Sequence, residues 1–327
     1  MSTAPQTGSL PLIPSLPATS SGISTAPAPR RGRGVALMLA SSIGNQVGAG
    51  IGAKAFPVLG PVGVVAIRQV LTAIVFGLTI RPRFRLLTRG KGGSLRPVIG
   101  LALTLCVMNM GLYIALDRLG LGLAVTLEFL GPLTVALVSS RKFLDLVCAV
   151  LAGIGVVFLT HPGPSSDLIG LAAGAVSGLG WGLYIVFNRQ LGSRLPGLEG
   201  TAAASVISGS LWIPIGAWWF VSHPPTSSRL GMALVAAMAC TVLCSVLPYV
   251  SDFLALRWVP PQSYGVFASL APVWAALIGW LMLGQGLNAG ERLGIGLIVA
   301  GNLMVSIRGL LLADRRINRR ISRPLSD

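Results

Sequence analysis

The chain has 327 residues, of which 53% are hydrophobic and only 10% charged, and its mean hydropathy is +0.78. A water-exposed surface needs more charge than that, about 25% of residues in ordinary globular domains, so a soluble enzyme is excluded. The net charge of +16 raises nucleic acid as a partner until the charges are placed along the chain, and the 42 Gly and 22 Pro, in so apolar a chain, fit membrane helices better than disorder.

Residues 1–33 read as a disordered cytoplasmic tail. Positions 1–29 carry no charge and are rich in Ser, Thr, Ala and Pro. Arg30, Arg31 and Arg33 then precede an apolar run, as they would in a signal peptide. That run is long, contains Asn45, Gln46 and Lys54, and leads into further spans, so cleavage is the lesser alternative. Ten apolar segments of about 20 residues follow, the length that crosses a bilayer. They lie near 34–56, 61–80, 97–117, 120–140, 144–160, 168–188, 201–221, 230–256, 262–283 and 293–312. Residues 313–327 form a basic cytoplasmic tail.

Ten spans place most of the 25 basic residues on one side. That side holds the arginines of the first tail, six basic residues within 81–96, Arg141 and Lys142, Arg189 and Arg194, Arg257, and six arginines from Arg308 onward. The other side holds Arg118, Arg229 and Arg292, while Lys54 and Arg68 fall within spans. By the positive-inside rule both termini are cytoplasmic. Basicity is then a topology signal, and no nucleic acid is expected as a partner. The partner that surrounds the chain is the lipid bilayer. Cys106, Cys148, Cys240 and Cys244 lie in apolar stretches with no CxxC pair, which gives no metal site.

The chain also repeats. Residues 113–132 align without a gap on 253–272, with Pro132 on Pro272 and Leu130 on Leu270. Gly44, Gly48 and Gly52 match Gly174, Gly178 and Gly182, both runs placing a glycine groove along one helix face. Segments 34–160 and 168–312 each hold five spans, an odd number, so the second starts from the opposite side. The expected fold class is an all-α integral membrane protein of ten transmembrane helices in two inverted five-helix repeats, an architecture of secondary transporters.

Particular residues carry a resemblance. They are the block Leu127-Glu128-Phe129-Leu130-Gly131-Pro132 within 120–140, Arg141-Lys142, Ala53-Lys54 with Phe56-Pro57, Ala66-Ile67-Arg68, Met108-Asn109, Trp181 with Tyr184, and Leu247-Pro248-Tyr249. Over about 34–312 the chain resembles the threonine/homoserine exporter branch of the drug/metabolite transporter superfamily, of the EamA type. The resemblance implies export of small amino acids across a bacterial cytoplasmic membrane. Two positions depart from that pattern: Gln285 stands where an acid is common, and Asp252 where a longer Glu is usual.

A charge at the bilayer centre costs roughly 2.5–3.5 kcal/mol even on the milder scales. Arg68 lies seven residues into the second span and Glu128 eight into the fourth, both entered from outside, hence at depths of roughly 10 and 12 Å. Lys54 and Asp252 sit near span ends and can snorkel. Pro132 has no N–H, so the carbonyl of Glu128 loses its helical donor; Pro248 does the same to Cys244, and Pro272 to Ala268. These three prolines are candidate helix breaks or gates.

The candidate site suits a zwitterion. Arg68 attracts a carboxylate, and Glu128 holds an ammonium group or a proton. Asn45, Gln46 and Asn109 hydrogen-bond a hydroxylated side chain, and Trp181, Tyr184, Tyr249 and Tyr264 form walls. A structural Glu128–Arg68 ion pair is the competing reading. Glu128 and Asp252 are the candidates for coupling to a proton. No GxxxxGK[ST], HExxH or GxSxG motif occurs, so neither ATP hydrolysis by a P-loop nor these hydrolase chemistries are indicated, and no cofactor is expected. The expectation is a secondary-active exporter of small neutral amino acids working by alternating access. An exporter of drugs or cationic metabolites on the same fold is the alternative, and a non-transporting scaffold is the third reading. Oligomeric state is left open.

Overall fold

A computed structural model describes residues 28–84, 94–138, 143–160, 167–192, 194–195, 197–225, 228–248, 251, 269–301, 303–304 and 307. Every regular element among them is helical. In chain order they are α1 (Ala28–Ala53), α2 (Phe56–Thr79), α3 (Leu95–Leu119), α4 (Leu121–Glu128), α5 (Leu130–Val138), α6 (Phe143–Thr160), α7 (Leu168–Gly192), α8 (Glu199–Ser222), α9 (Leu230–Thr241), a π-helical turn (Val242–Val246), α10 (Ala271–Leu283) and α11 (289–301). Five helical stretches of 21 to 25 residues, in α1, α2, α3, α7 and α8, are long and apolar enough to cross a membrane. Their outer faces carry large apolar side chains in the open, among them Leu78, Leu168 and Val221, the last 81% exposed. In water such a surface would be strongly unfavourable; against lipid tails it is at home.

The breaks between helices follow local chemistry. Gly60 sits at φ +68, between the single turn from Phe56 and the helix that restarts at Pro61. The carbonyl of Leu59 at this kink accepts the indole N–H of Trp219 at 2.8 Å, so the break is satisfied from α8. Gly120, at φ +87, ends α3 and begins α4. Gly284, at φ +66, ends α10, and the N–H of Gln285 bonds back to the carbonyl of Gly279. Asn288 and Glu291 exchange side chain-to-backbone bonds at 2.8 Å, a reciprocal cap on α11.

The expected 120–140 span is two helices, interrupted at Phe129 between Glu128 and Pro132. The expected 230–256 span runs as α9 into the π turn, which ends just before Pro248, in the helical residues 247–248. Pro272 stands in the first turn of α10, where a missing N–H costs no helical bond. The partner expected for its effect, Ala268, lies outside the described residues.

Helices before residue 160 pack chiefly on helices after 168. α2 lies along α8, α3 along α7, α1 along α9 and α10, and α4 along α7 and α10. The glycines explain two of these approaches. Gly48 and Gly52 on α1 face Cys244 and Cys240. Gly174 and Gly178 on α7 face Leu127 and the backbone carbonyls of the α4–α5 break. Small residues thus admit a neighbouring helix at the places where that helix is irregular.

Candidate transport site

Arg68 projects from the middle of α2 into the junction of α1, α3 and α9. Its Nε donates to Ser245 Oγ, Nη1 to Tyr113 Oη and Nη2 to the carbonyl of Cys244, each at 3.2 Å. The guanidinium carbon also lies 5.5 Å from the centre of the Tyr113 ring, a cation–π distance. Pro248 has no N–H for the Cys244 carbonyl, and Arg68 donates to it in place of that N–H. Tyr113 Oη lies 2.9 Å from Cys240 Sγ, and Cys244 Sγ donates to the carbonyl of Asn45 at 3.1 Å. The result is a polar cluster joining α1, α2, α3 and α9.

Glu128 ends α4 and is 8% exposed. Its Oε1 lies 2.8 Å from Ser177 Oγ on α7, and Ser177 Oγ also lies 3.0 Å from the carbonyl of Met108 on α3. Beside it, Phe129 and Trp181 meet edge to face at 4.5 Å between ring centres. Arg68 and Glu128 are not within ion-pair distance of one another among the described residues; each is held by a different hydroxyl. Next to Arg68 in the chain, Gln69 Nε2 donates to the carbonyl of Leu105 at 3.2 Å and to Ser208 Oγ at 3.1 Å, tying α2 to α3 and α8.

The other sequence candidates take varied places. Asn109 is buried and donates to the Leu105 carbonyl one turn back at 2.7 Å. Asn45 is half-buried, with its carbonyl engaged by Cys244, and Gln46 is buried on α1. Tyr184 is partly buried against the cluster of Leu101, Leu105 and Ala204. Lys54 is exposed in the turn between α1 and α2. Tyr249, Asp252 and Tyr264 lie outside the described residues. Ser245 and Tyr113 hold Arg68, Ser177 holds Glu128, and Gln69 ties α2 to α3 and α8; the sequence did not single these four out. The available signals were Ser177 between Gly174 and Gly178, and Ser245 three residues before Pro248.

Toward the ends of the bundle the polar contacts are simpler. Gln285 Oε1 accepts from the N–H of Leu121 at 2.9 Å and caps α4. Asp167 Oδ1 accepts from the N–H of Gly170 at 2.8 Å at the start of α7, and Arg118 pairs with Asp167 at 3.1 Å. The Gly170 N–H first, and then the Arg118 guanidinium, hold the Asp167 carboxyl below the usual carboxylate range.

Residues 168–307 match the EamA-like transporter family. The threonine/homoserine exporter RhtA of Escherichia coli K12 is 32% identical over 279 residues, 82% of this chain and 90% of its own length. RhtA of Salmonella typhimurium LT2 is 33% identical over the same share of this chain and 89% of its own. Protein PecM of Dickeya dadantii is 25% identical over 66% of this chain and 74% of its own length. A crystal structure at 18% identity covers 87% of this chain and 98% of its own, and shares the fold with a TM-score of 0.54. These likenesses make the protein a multi-pass transporter of the cytoplasmic membrane and not an enzyme. The chain belongs to the EamA-like transporters of the drug/metabolite transporter superfamily, in the RhtA branch.

Proposed function

We propose that the protein is a secondary-active exporter of small neutral amino acids, threonine- and homoserine-like, that works by alternating access. The relatives at 32 and 33% identity supply the substrate class. One observation of the structure carries the mechanism: Arg68 and Glu128, both on helices before residue 160, each bond to residues after 168. Arg68 is held by Ser245 and the Cys244 carbonyl, and Glu128 by Ser177. A substrate carboxylate arriving at Arg68 and an ammonium arriving at Glu128 replace those bonds, and so loosen one face of the interface. Differential contact of this kind is what a ligand needs to shift a conformational equilibrium.

Ten spans in two inverted repeats, 34–160 and 168–312, complete the proposal, with tails 1–33 and 313–327 in the cytoplasm. The packing supports it. Advancing each span by five turns the pairing of span 1 with span 8 (α1 on α9) into that of span 6 with span 3 (α7 on α3). It likewise turns α1 on α10 into α7 on α4, and α2 on α9 into α8 on α3. The pairs α2–α8 and α4–α10 map onto themselves. Such exchange of equivalent pairs is the basis of alternating access in repeat-built carriers.

Within this site Arg68 receives the carboxylate and Glu128 the ammonium group or a proton. Asn45 and Asn109 lie near the hydroxylated side chain. Trp181, Tyr184 and Tyr249 serve as walls, Pro132, Pro248 and Pro272 as breaks or gates, and Asp252 as a second proton site. Efflux of labelled threonine and homoserine from preloaded proteoliposomes tests the function, with alanine and a lipophilic cation as comparators. Saturable efflux of the hydroxylated amino acids supports it. Flux of the cation alone transfers the assignment to a drug exporter, and no flux from folded protein favours a scaffold.

A further inference from the structure

Ser177 has one hydroxyl proton and faces two acceptors. Its Oγ is 2.8 Å from Glu128 Oε1 and 3.0 Å from the carbonyl oxygen of Met108. A hydroxyl donates once and accepts through its lone pairs; a carboxylate only accepts, whereas a carboxylic acid also donates. The Met108 carbonyl cannot donate. Both contacts are therefore full, unshared hydrogen bonds at the same time only when the Glu128 carboxyl is the donor toward Ser177.

We infer that Ser177 is a positioning residue that holds the Glu128 carboxyl in its protonated form in this conformation. Glu128 donates to Ser177 Oγ, and Ser177 donates to the Met108 carbonyl. This rests on the reading of Glu128 as the ammonium or proton site and adds how its proton is held and sensed.

The surroundings fit a neutral acid. Ser177 is fully buried and Glu128 nearly so. On α7 the adjacent Gly174 and Gly178 bring no side chain, and Arg189 lies in the helix's last turn. The described residues of α5 and α10 contain no titratable group. α3 brings Cys106, which contacts Ser208, and Tyr113, which contacts Arg68 and Cys240; its Asp117 and Arg118 lie at the far end. From α2 comes Arg68, which donates to Ser245, Tyr113 and the Cys244 carbonyl.

The consequence is an exclusive choice. A protonated carboxyl is neutral and does not hold an ammonium group, so proton and substrate occupy Glu128 by turns. When an ammonium arrives, the proton leaves Glu128 for the water on that side. Ser177 is then free to turn its O–H from Met108 to the carboxylate, which releases that one hydrogen bond between α7 and α3. This is proton-for-substrate exchange sensed by one hydroxyl.

Infrared spectroscopy of the full-length protein in lipid vesicles tests it, read in the carbonyl-stretch region of protonated carboxylic acids. The wild type is expected to show a buried-acid band at neutral pH that Glu128→Gln removes. In Ser177→Ala that band is expected at higher frequency, because the acid O–H has lost its acceptor. No Glu128 band from mildly acid to neutral pH overturns the inference, as does a band unmoved in folded Ser177→Ala. The wild-type band decides the protonation state even where the variant does not fold. Threonine efflux from the same vesicles separates the two claims. Efflux without the band retires the held proton and keeps the exporter, and the band without efflux does the reverse.

Discussion

Arg68 Nη2 donates to the carbonyl of Cys244 at 3.2 Å, and that carbonyl lacks the N–H four residues on because residue 248 is a proline. A guanidinium reaches it while also bonding Ser245 and Tyr113, since its donors diverge in a fixed fork. An ammonium is a point charge and does not reproduce that fork. Arg68→Lys is therefore expected to lower threonine efflux by roughly tenfold or more, about 1.4 kcal/mol in transition free energy. Arg68→Ala leaves buried acceptors unpaired and should cost about 1–3 kcal/mol of stability besides. Efflux and thermal unfolding of purified protein separate the two effects. Wild-type efflux in the Lys variant would remove the fork from the mechanism.

Pro248 gives the same junction a second test. Pro248→Ala restores an N–H that competes with Arg68 for the Cys244 carbonyl and favours a regular helix through the π turn 242–246. The variant is expected to unfold at the same temperature or higher, yet to transport more slowly. A faster or unchanged exporter would show that the irregular turn has no part in gating.

The helices were legible in the sequence because lipid-facing and buried residues are both apolar there, and composition alone marks a span. The break after Glu128 was legible too, since Pro132 removes one N–H whatever surrounds it. Ser177, Ser245 and Gln69 were not. Their roles depend on which helices become neighbours and on how each is rotated, and a hydroxyl in a glycine-rich span has the same local pattern in either case. The supposed Arg68–Glu128 pair failed for this reason. Equal depth along two helices says nothing about lateral separation, and each side chain found a hydroxyl partner across the interface.

The glycine groove of α7 makes a steric prediction. A Cβ built at Gly178 would lie 2.8 Å from the carbonyl oxygen of Leu127 and 3.3 Å from that of Glu128. Both are backbone atoms and cannot rotate away. Gly178→Ala is expected to destabilise by about 1–3 kcal/mol through overpacking and to lower the yield of folded protein. Gly192→Ala, with nothing within 4 Å of the added carbon, is the control and should be neutral or slightly stabilising. Equal yields of the two variants would contradict the close α4–α7 approach.

Gln285 stands where the sequence resemblance leads one to expect an acid, and its oxygen accepts from the Leu121 N–H at 2.9 Å. The position is thus a helix cap, and an amide serves it as a carboxylate would. Gln285→Ala orphans that N–H and should cost about 1 kcal/mol, seen as a lower unfolding temperature in detergent. Gln285→Glu keeps an acceptor at the positive end of α4 and is expected to retain wild-type stability. Loss in the Glu variant as large as in the Ala variant would argue against capping.

Asp167 supplies a pH dependence whose sign follows from its contacts. Its carboxyl is held below the usual range by the Gly170 N–H and then by Arg118, so the folded state prefers the ionised form more than the unfolded chain does. That stabilisation is present at pH above the unfolded carboxyl's value and is lost as pH falls through the folded one. Asp167→Asn keeps a cap acceptor and removes the charge. It should therefore unfold at a lower temperature than the wild type at neutral pH, with the gap closing in acid. The Arg118–Asp167 pair is solvent-exposed, with side chains 41 and 33% accessible, so added salt should narrow the gap at neutral pH as well. Melting curves of both proteins across pH, at low and high salt, measure this directly. A gap that persists unchanged into acid would place the effect in the cap geometry and not in the charge.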